Sequence, residues 1–115
     1  MLLVDDDASM RRALARTIRL AGFDVEAFPT AESLVARGLG ERDTCLVLDI
    51  DLPGMDGVAC KRTLDAIGRR LPAIFITALT PAEVQEPLAG VASVAVLHKP
   101  FDKAELLAAI ERACQ

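Results

Sequence analysis

Tryptophan and tyrosine are absent from the 115 residues, phenylalanine occurs four times and histidine once, so the core has to be aliphatic. Only three cysteines occur, Cys45, Cys60 and Cys114, widely spaced and with no CxxC pair. With a single histidine beside them they support neither a zinc site nor a disulfide framework, and they are expected to be small core residues. No apolar run approaches the ~20 residues needed to cross a bilayer. The opening MLLVDDDASM turns acidic too soon for a signal peptide, which leaves a cytoplasmic location as the expectation. Positive charge is in deficit, at a formal net charge of −4, which argues against nucleic acid or membrane as partners of this segment, since both call for a basic surface. What is present, 52% hydrophobic and 26% charged residues, is a globular composition, and the length suits one domain over residues 1–115. No repeat, linker or low-complexity segment interrupts it.

Short apolar runs alternate with helical patterns. Strands are expected at Leu2–Val4, Val25–Phe28, Cys45–Leu48, Ala73–Thr77 and Val94–Leu97. Their continuous apolar character suits strands covered on both faces. Met10, Ala13, Leu14, Thr17, Ile18 and Ala21 recur at helical spacing, with Gly22 where a C-terminal cap belongs. A second helix is expected over Ala31 to Arg37 behind Thr30 as N-cap. A third carries the stripe Cys60, Leu64, Ile67 and Leu71, ended by Pro72. The last starts at Asp102, with Glu105 completing a capping pair, and carries Leu106, Leu107, Ile110 and Ala113. The fourth begins well at Thr80-Pro81-Ala82-Glu83, but Pro87 would cost about 3 kcal/mol inside a helix and Gly90 weakens it further, so a short or kinked helix is expected. Strands joined by helical crossovers run parallel with right-handed connections, which predicts a three-layer α/β sandwich of five βα units.

In such a sheet ligands gather beyond the carboxyl ends of the strands. The sequence puts Asp5, Asp6 and Asp7 after strand one, Asp49 after strand three, Thr77 and Ala78 after strand four, and His98, Lys99 and Pro100 after strand five. Each has an ordinary reading alone: the early acids as helix caps, Asp49 as a turn, Thr77 as a strand residue, Lys99 as a solvated charge and His98 as exposed and inert. Together they are a different matter. Crowded carboxylates repel one another and need compensation. A Mg²⁺ ion, which prefers hard oxygen ligands, is the natural partner, with Lys99 as a point charge and Thr77 as a hydrogen-bond donor for a phosphoryl group. One aspartate of such a set can act as nucleophile and form an acyl phosphate.

At these residues the chain resembles the receiver domains of bacterial two-component response regulators, over nearly its whole length. VDDD at 4–7 is similar to the acidic-pair motif, LDIDLPGMDG to the phosphoacceptor loop, and ITA at 76–78 and KPF at 99–101 to the remaining two motifs. The resemblance implies a flavodoxin-like fold with strand order 2-1-3-4-5. It implies that Asp49 accepts a phosphoryl group from a sensor histidine kinase or a phosphotransfer protein. It implies Mg²⁺ held by Asp5, Asp6, Asp49 and the backbone carbonyl of Asp51, with Thr77 and Lys99 on the phosphoryl group and a cis Lys99–Pro100 peptide. Arg11 and Arg12 become candidate kinase-docking residues, and a phosphorylation-dependent homodimer a possible output.

One departure is visible. The family places Tyr or Phe three residues before the lysine as a rotating switch, and here the position is Val96. A remodelled output face is therefore expected, next to the irregular fourth helix. Asp51 also adds a negative side chain beside the site, expected to bear on phosphate lifetime. Two other readings compete. DID at 49–51 resembles the nucleophile motif of haloacid-dehalogenase-like phosphohydrolases, although that motif opens their chains and the early acidic pair has no place there. A phosphate-independent scaffold is opposed by the intact acidic, Thr77 and Lys99 set. The end at Gln115, just after the fifth helix, leaves a stand-alone receiver or a segment of a longer regulator as expectations, and Met1 so close to the first strand points to trimming.

Overall fold

The computed structural model describes residues 1–93 and 95–114. Five strands, β1 (Leu2–Val4), β2 (Glu26–Phe28), β3 (Leu46–Asp49), β4 (Ala73–Thr77) and β5 (Ala95–His98), alternate with five helices, α1 (Ala8–Leu20), α2 (Ala31–Arg37), α3 (Gly57–Ile67), α4 (Pro81–Val84) and α5 (Lys103–Ala113). The strands form one parallel sheet in the order β2-β1-β3-β4-β5, as expected. Val94, the expected first residue of the fifth strand, lies outside the described residues.

Alternation along the strands divides the core into two halves. Leu2, Val4, Leu46, Leu48 and Phe75 face α2, α3 and α4, where Leu34, Leu64 and Val84 cover them. Leu3, Val47, Ile74 and Ile76 face α1 and α5, where Ile18, Leu106 and Ile110 do the same. Both faces of the sheet are covered, which is why the strands read as unbroken apolar runs.

Local chemistry sets the helix ends. Asp7 caps α1, its carboxylate accepting from the amides of Ser9 (2.9 Å) and Met10 (3.1 Å). After α1 the Gly22 amide donates to Arg19 and the Phe23 amide to Ile18, a Schellman closure that needs the positive φ of +97° at Gly22. Thr30 caps α2 as expected. On α1, Leu14, Ala15 and Ile18 are buried, whereas Ala13 and Ala21 of the expected stripe are exposed. The third helix ends earlier than its stripe predicts. α3 stops at Ile67, which is 63% exposed, and Leu71 is buried from the loop beyond. Beyond it the Arg69 guanidinium donates to the carbonyls of Gly40 and Asp43, which ties the chain after α3 to the loop before β3. The fourth helix is one turn with a full capping box between Thr80 and Glu83, and it ends before Pro87, as expected. Cys45 and Cys60 are buried, and burial pushes their thiols up to about 12 and about 11. Cys114, expected in the core, is exposed because it follows the last helical residue.

One polar node ties the end of α2 to the approach of β3. Asp43, 6% exposed, accepts from Arg37 (2.7 Å) and from the Gly40 amide (2.6 Å). Burial pushes its carboxyl up, but the Arg37 guanidinium and the Gly40 amide outweigh this and hold it below the usual range. Asp43→Ala leaves both donors without their acceptor and is expected to cost about 2–3 kcal/mol in a denaturant titration. Because the folded carboxyl is depressed, its contribution is present above the unfolded pKa of ~3.9 and is lost as pH falls through the folded value. Asp43→Asn should therefore flatten the acid limb of the stability profile.

Candidate functional site

The sheet order places β1 and β3 side by side at the centre, with their following connections leaving in opposite directions, so a crevice opens at their carboxyl ends. The chain continues the ladder one residue past each strand there. The Asp5 amide donates to Phe28, that of Ile50 to Ile76, and that of Lys99 to Thr77. This regular extension brings residues from four strand ends to one edge.

Asp5 is fully buried and Asp49 is 1% exposed, while Asp6 stands at the surface between them and the α1 cap. One carboxylate oxygen from each of Asp5, Asp6 and Asp49 lies within 4.8 Å of the others. Asp5 Oδ1 accepts the Asp7 amide at 2.9 Å, which leaves Asp5 Oδ2 buried with no hydrogen-bond partner. Burial, with Asp49 nearby, pushes the Asp5 carboxyl above its ordinary range. A buried carboxylate oxygen left unpaired beside two further acids fits a hard divalent cation, which would give it the missing partner.

Asp49 is held from two sides. Its Oδ1 accepts the Asp51 amide at 2.9 Å and its Oδ2 the Lys99 ammonium at 3.0 Å. Burial pulls the Lys99 ammonium down, yet the Asp49 carboxylate outweighs this and holds it above its ordinary value. Lys99 precedes a cis peptide to Pro100, as expected. Thr77 is fully buried, and its hydroxyl points to Asp51 Oδ2 at 3.1 Å, an oxygen that the Ala78 amide also reaches at 3.0 Å. The structure brings Asp5, Asp6, Asp49, Thr77 and Lys99 to one edge, and Asp51 joins them through its amide and its carboxylate, where the resemblance implied its backbone carbonyl. Val96 is half-buried and packs against the apolar cluster to which α4 contributes Val84, so an aliphatic side chain stands at the expected switch position.

Three residues of the site were not assigned from sequence, or were misassigned. His98, expected to be exposed and inert, is half-buried with Nδ1 2.7 Å from the Leu79 carbonyl, so that nitrogen carries the proton. Glu32 on α2 accepts the Met55 amide at 3.1 Å, a bond that lowers its carboxyl and anchors the loop after β3. Gly57 opens α3 against the backbone of Asp49. A Cβ there would fall on the Asp49 carbonyl oxygen and 2.9 Å from the carbonyl carbon. The MDG run could have signalled this glycine; the other two contacts join distant segments and leave no local signature. Arg11 donates to the Asp5 carbonyl at 2.8 Å and so braces the β1–α1 turn, while Arg12 is exposed.

The comparisons agree with this geometry. The family model for the response regulator receiver domain matches residues 1–111. Nodulation protein W of Bradyrhizobium diazoefficiens is 36% identical over 100% of this chain and 51% of its own length. Transcriptional regulatory protein FixJ of Rhizobium meliloti is 34% identical over 98% of this chain and 55% of its own. The chain therefore spans about half the length of these curated relatives. Among solved structures, response regulator StyR superposes with a TM-score of 0.85 at 40% identity, covering 99% of this chain and 58% of that one. Vibrio cholerae chemotaxis protein CheY4 gives 0.88 at 25% identity over 97% and 95%. Among the described residues no helix is long and apolar enough to cross a membrane. The chain belongs to the response regulator receiver family, a signalling switch of two-component systems rather than a metabolic enzyme.

Proposed function

We propose that residues 1–115 form one cytoplasmic receiver that takes a phosphoryl group onto Asp49 from a phosphohistidine of a sensor kinase or phosphotransfer protein. The observation that carries this reading is the buried Asp49 between the Lys99 ammonium and the unpartnered Asp5 oxygen. A carboxylate oxygen of Asp49 forms the new bond to phosphorus as the bond from phosphorus to the imidazole nitrogen breaks; the electron pair returns to a ring whose other nitrogen is protonated, so the kinase histidine leaves as a neutral imidazole. Asp5, Asp6 and Asp49, with the Asp51 carbonyl, are the residues that would hold Mg²⁺. When bound, the ion offsets the charge of the carboxylates and of the transferred group. Lys99, already on Asp49 Oδ2, supplies a point charge for a phosphoryl oxygen, and the Thr77 hydroxyl supplies a donor.

Phosphorylation adds about −1.5 to −2 charge and new acceptor oxygens. Reversing a 1:99 population takes about 5.5 kcal/mol of differential stabilisation. Hydrogen bonds to charged groups, at about 1.5–3 kcal/mol each, reach that sum with three partners. The output is a changed surface around α4 and β5, read by an effector or by a second copy of the chain. Acetyl phosphate with Mg²⁺, followed by intact mass, tests the reading. One added phosphoryl group, absent when the metal is chelated, is the expected result. Steady release of phosphate with no adduct would indicate a phosphohydrolase instead, and an unchanged mass a scaffold.

A further inference from the structure

Asp51 uses up the two hydrogen-bond donors at the end of β4. A hydroxyl has one proton, and that of Thr77 faces Asp51 Oδ2 at 3.1 Å while its oxygen accepts the Leu79 amide at 3.0 Å. The Ala78 amide has one proton too, and it goes to the same carboxylate oxygen at 3.0 Å. Two donors from one loop converge on one anionic oxygen, so the place they define is an anion position, and it is filled from within the chain. The Asp51 amide meanwhile donates to Asp49 Oδ1 at 2.9 Å, so the two carboxylates flank a single tight turn. The loop is fixed on its far side as well, where His98 Nδ1 donates to the Leu79 carbonyl at 2.7 Å.

We propose that the Asp51 carboxylate is an internal latch, which holds the Thr77 hydroxyl and the Ala78 amide in the unphosphorylated protein and has to be displaced before a phosphoryl group on Asp49 can use them. The inference rests on the phosphoacceptor role of Asp49. The latch draws the 77–79 loop toward the site before any phosphate arrives and sets the two anions in competition for the same protons. Charge-assisted bonds of this kind are stronger than neutral ones, so the competition raises the threshold for activation.

Beryllofluoride affinity in the presence of Mg²⁺, and hydrogen exchange of the Ala78 amide without either, test this in the full chain and in Asp51→Ala and Asp51→Asn. Asp51 is exposed in a loop, and the Asn variant preserves its shape. The expected result is beryllofluoride binding about tenfold tighter in Asp51→Ala, with a smaller gain in Asp51→Asn, whose amide oxygen still accepts both bonds more weakly. Ala78 exchange should speed up by a comparable factor in Asp51→Ala. Equal affinity in all three proteins overturns the latch. Equal tightening by Ala and Asn with Ala78 exchange unchanged also overturns it, since charge repulsion alone then accounts for the effect. Binding by none of the three, the parent included, removes the phosphoacceptor reading itself and the latch with it.

Discussion

Asp49→Asn is expected to abolish the phosphoryl adduct outright and, in the same protein, to cancel the rise in melting temperature that Mg²⁺ gives the parent chain. The side chain is 1% exposed and held at both oxygens; asparagine matches its shape but offers a single acceptor oxygen, so it keeps one of the bonds from the Asp51 amide and the Lys99 ammonium and loses the other. What changes is chemistry. An amide is a poor nucleophile toward phosphorus, and it removes one anionic oxygen from the cluster formed with Asp5 and Asp6. In the parent, an ion that binds only the folded state adds about 2.7 kcal/mol at a hundred times its dissociation constant. For a domain of this size each kcal/mol moves the midpoint by about 4 °C, so the metal response is large and easily read. Intact mass after acetyl phosphate and a thermal melt with and without Mg²⁺ check both halves. A melt in which Asp49→Asn keeps the full metal response would place the ion elsewhere.

The features that could be read without coordinates share one property: their signal is local in the chain. Unbroken apolar runs gave the strands because both faces of this sheet are covered, and Thr30, Thr80, Asp102 and Gly22 act as caps through neighbours within a few residues. The acidic, Thr77 and Lys99 set was legible for a related reason. In a parallel sheet, strand ends share an edge, so position in sequence already fixes position in space. The contacts that escaped join distant segments through side-chain direction. Asp51 to Thr77, His98 to Leu79, Glu32 to Met55 and Arg69 to the 40–43 loop each depend on how a loop aims one side chain. The apolar stripe of α3 misled because Leu71 continues a helical period that the backbone has already abandoned at Gly68.

Gly57 offers the sharpest test of how the fold positions Asp49, because the constraint there is steric and not conformational. Its φ is not in the left-handed region, so alanine is tolerated by the local backbone and fails only on what it meets. It meets backbone: the Asp49 carbonyl oxygen, its carbon at 2.9 Å and Ile50 Cα at 3.1 Å, none of which can rotate away. Either α3 lifts off the sheet or the end of β3 moves. Overpacking of this kind costs about 1–3 kcal/mol, and a rigid obstacle puts the expected loss at the upper end. A shift of about 1 Å in a reacting group can slow a reaction about 10²-fold, so phosphorylation should fall by that order even where the variant remains folded. Gly22→Ala separates the two effects. Its φ of +97° penalises any side chain, but nothing lies within 4 Å and the site is remote. It should lose about 1–2 kcal/mol and accept phosphate at the parent rate. Urea titrations and phosphorylation time courses on the two variants check this: if Gly57→Ala loses stability but keeps the parent rate, the close approach of α3 to β3 is a packing feature and does not set the geometry of Asp49.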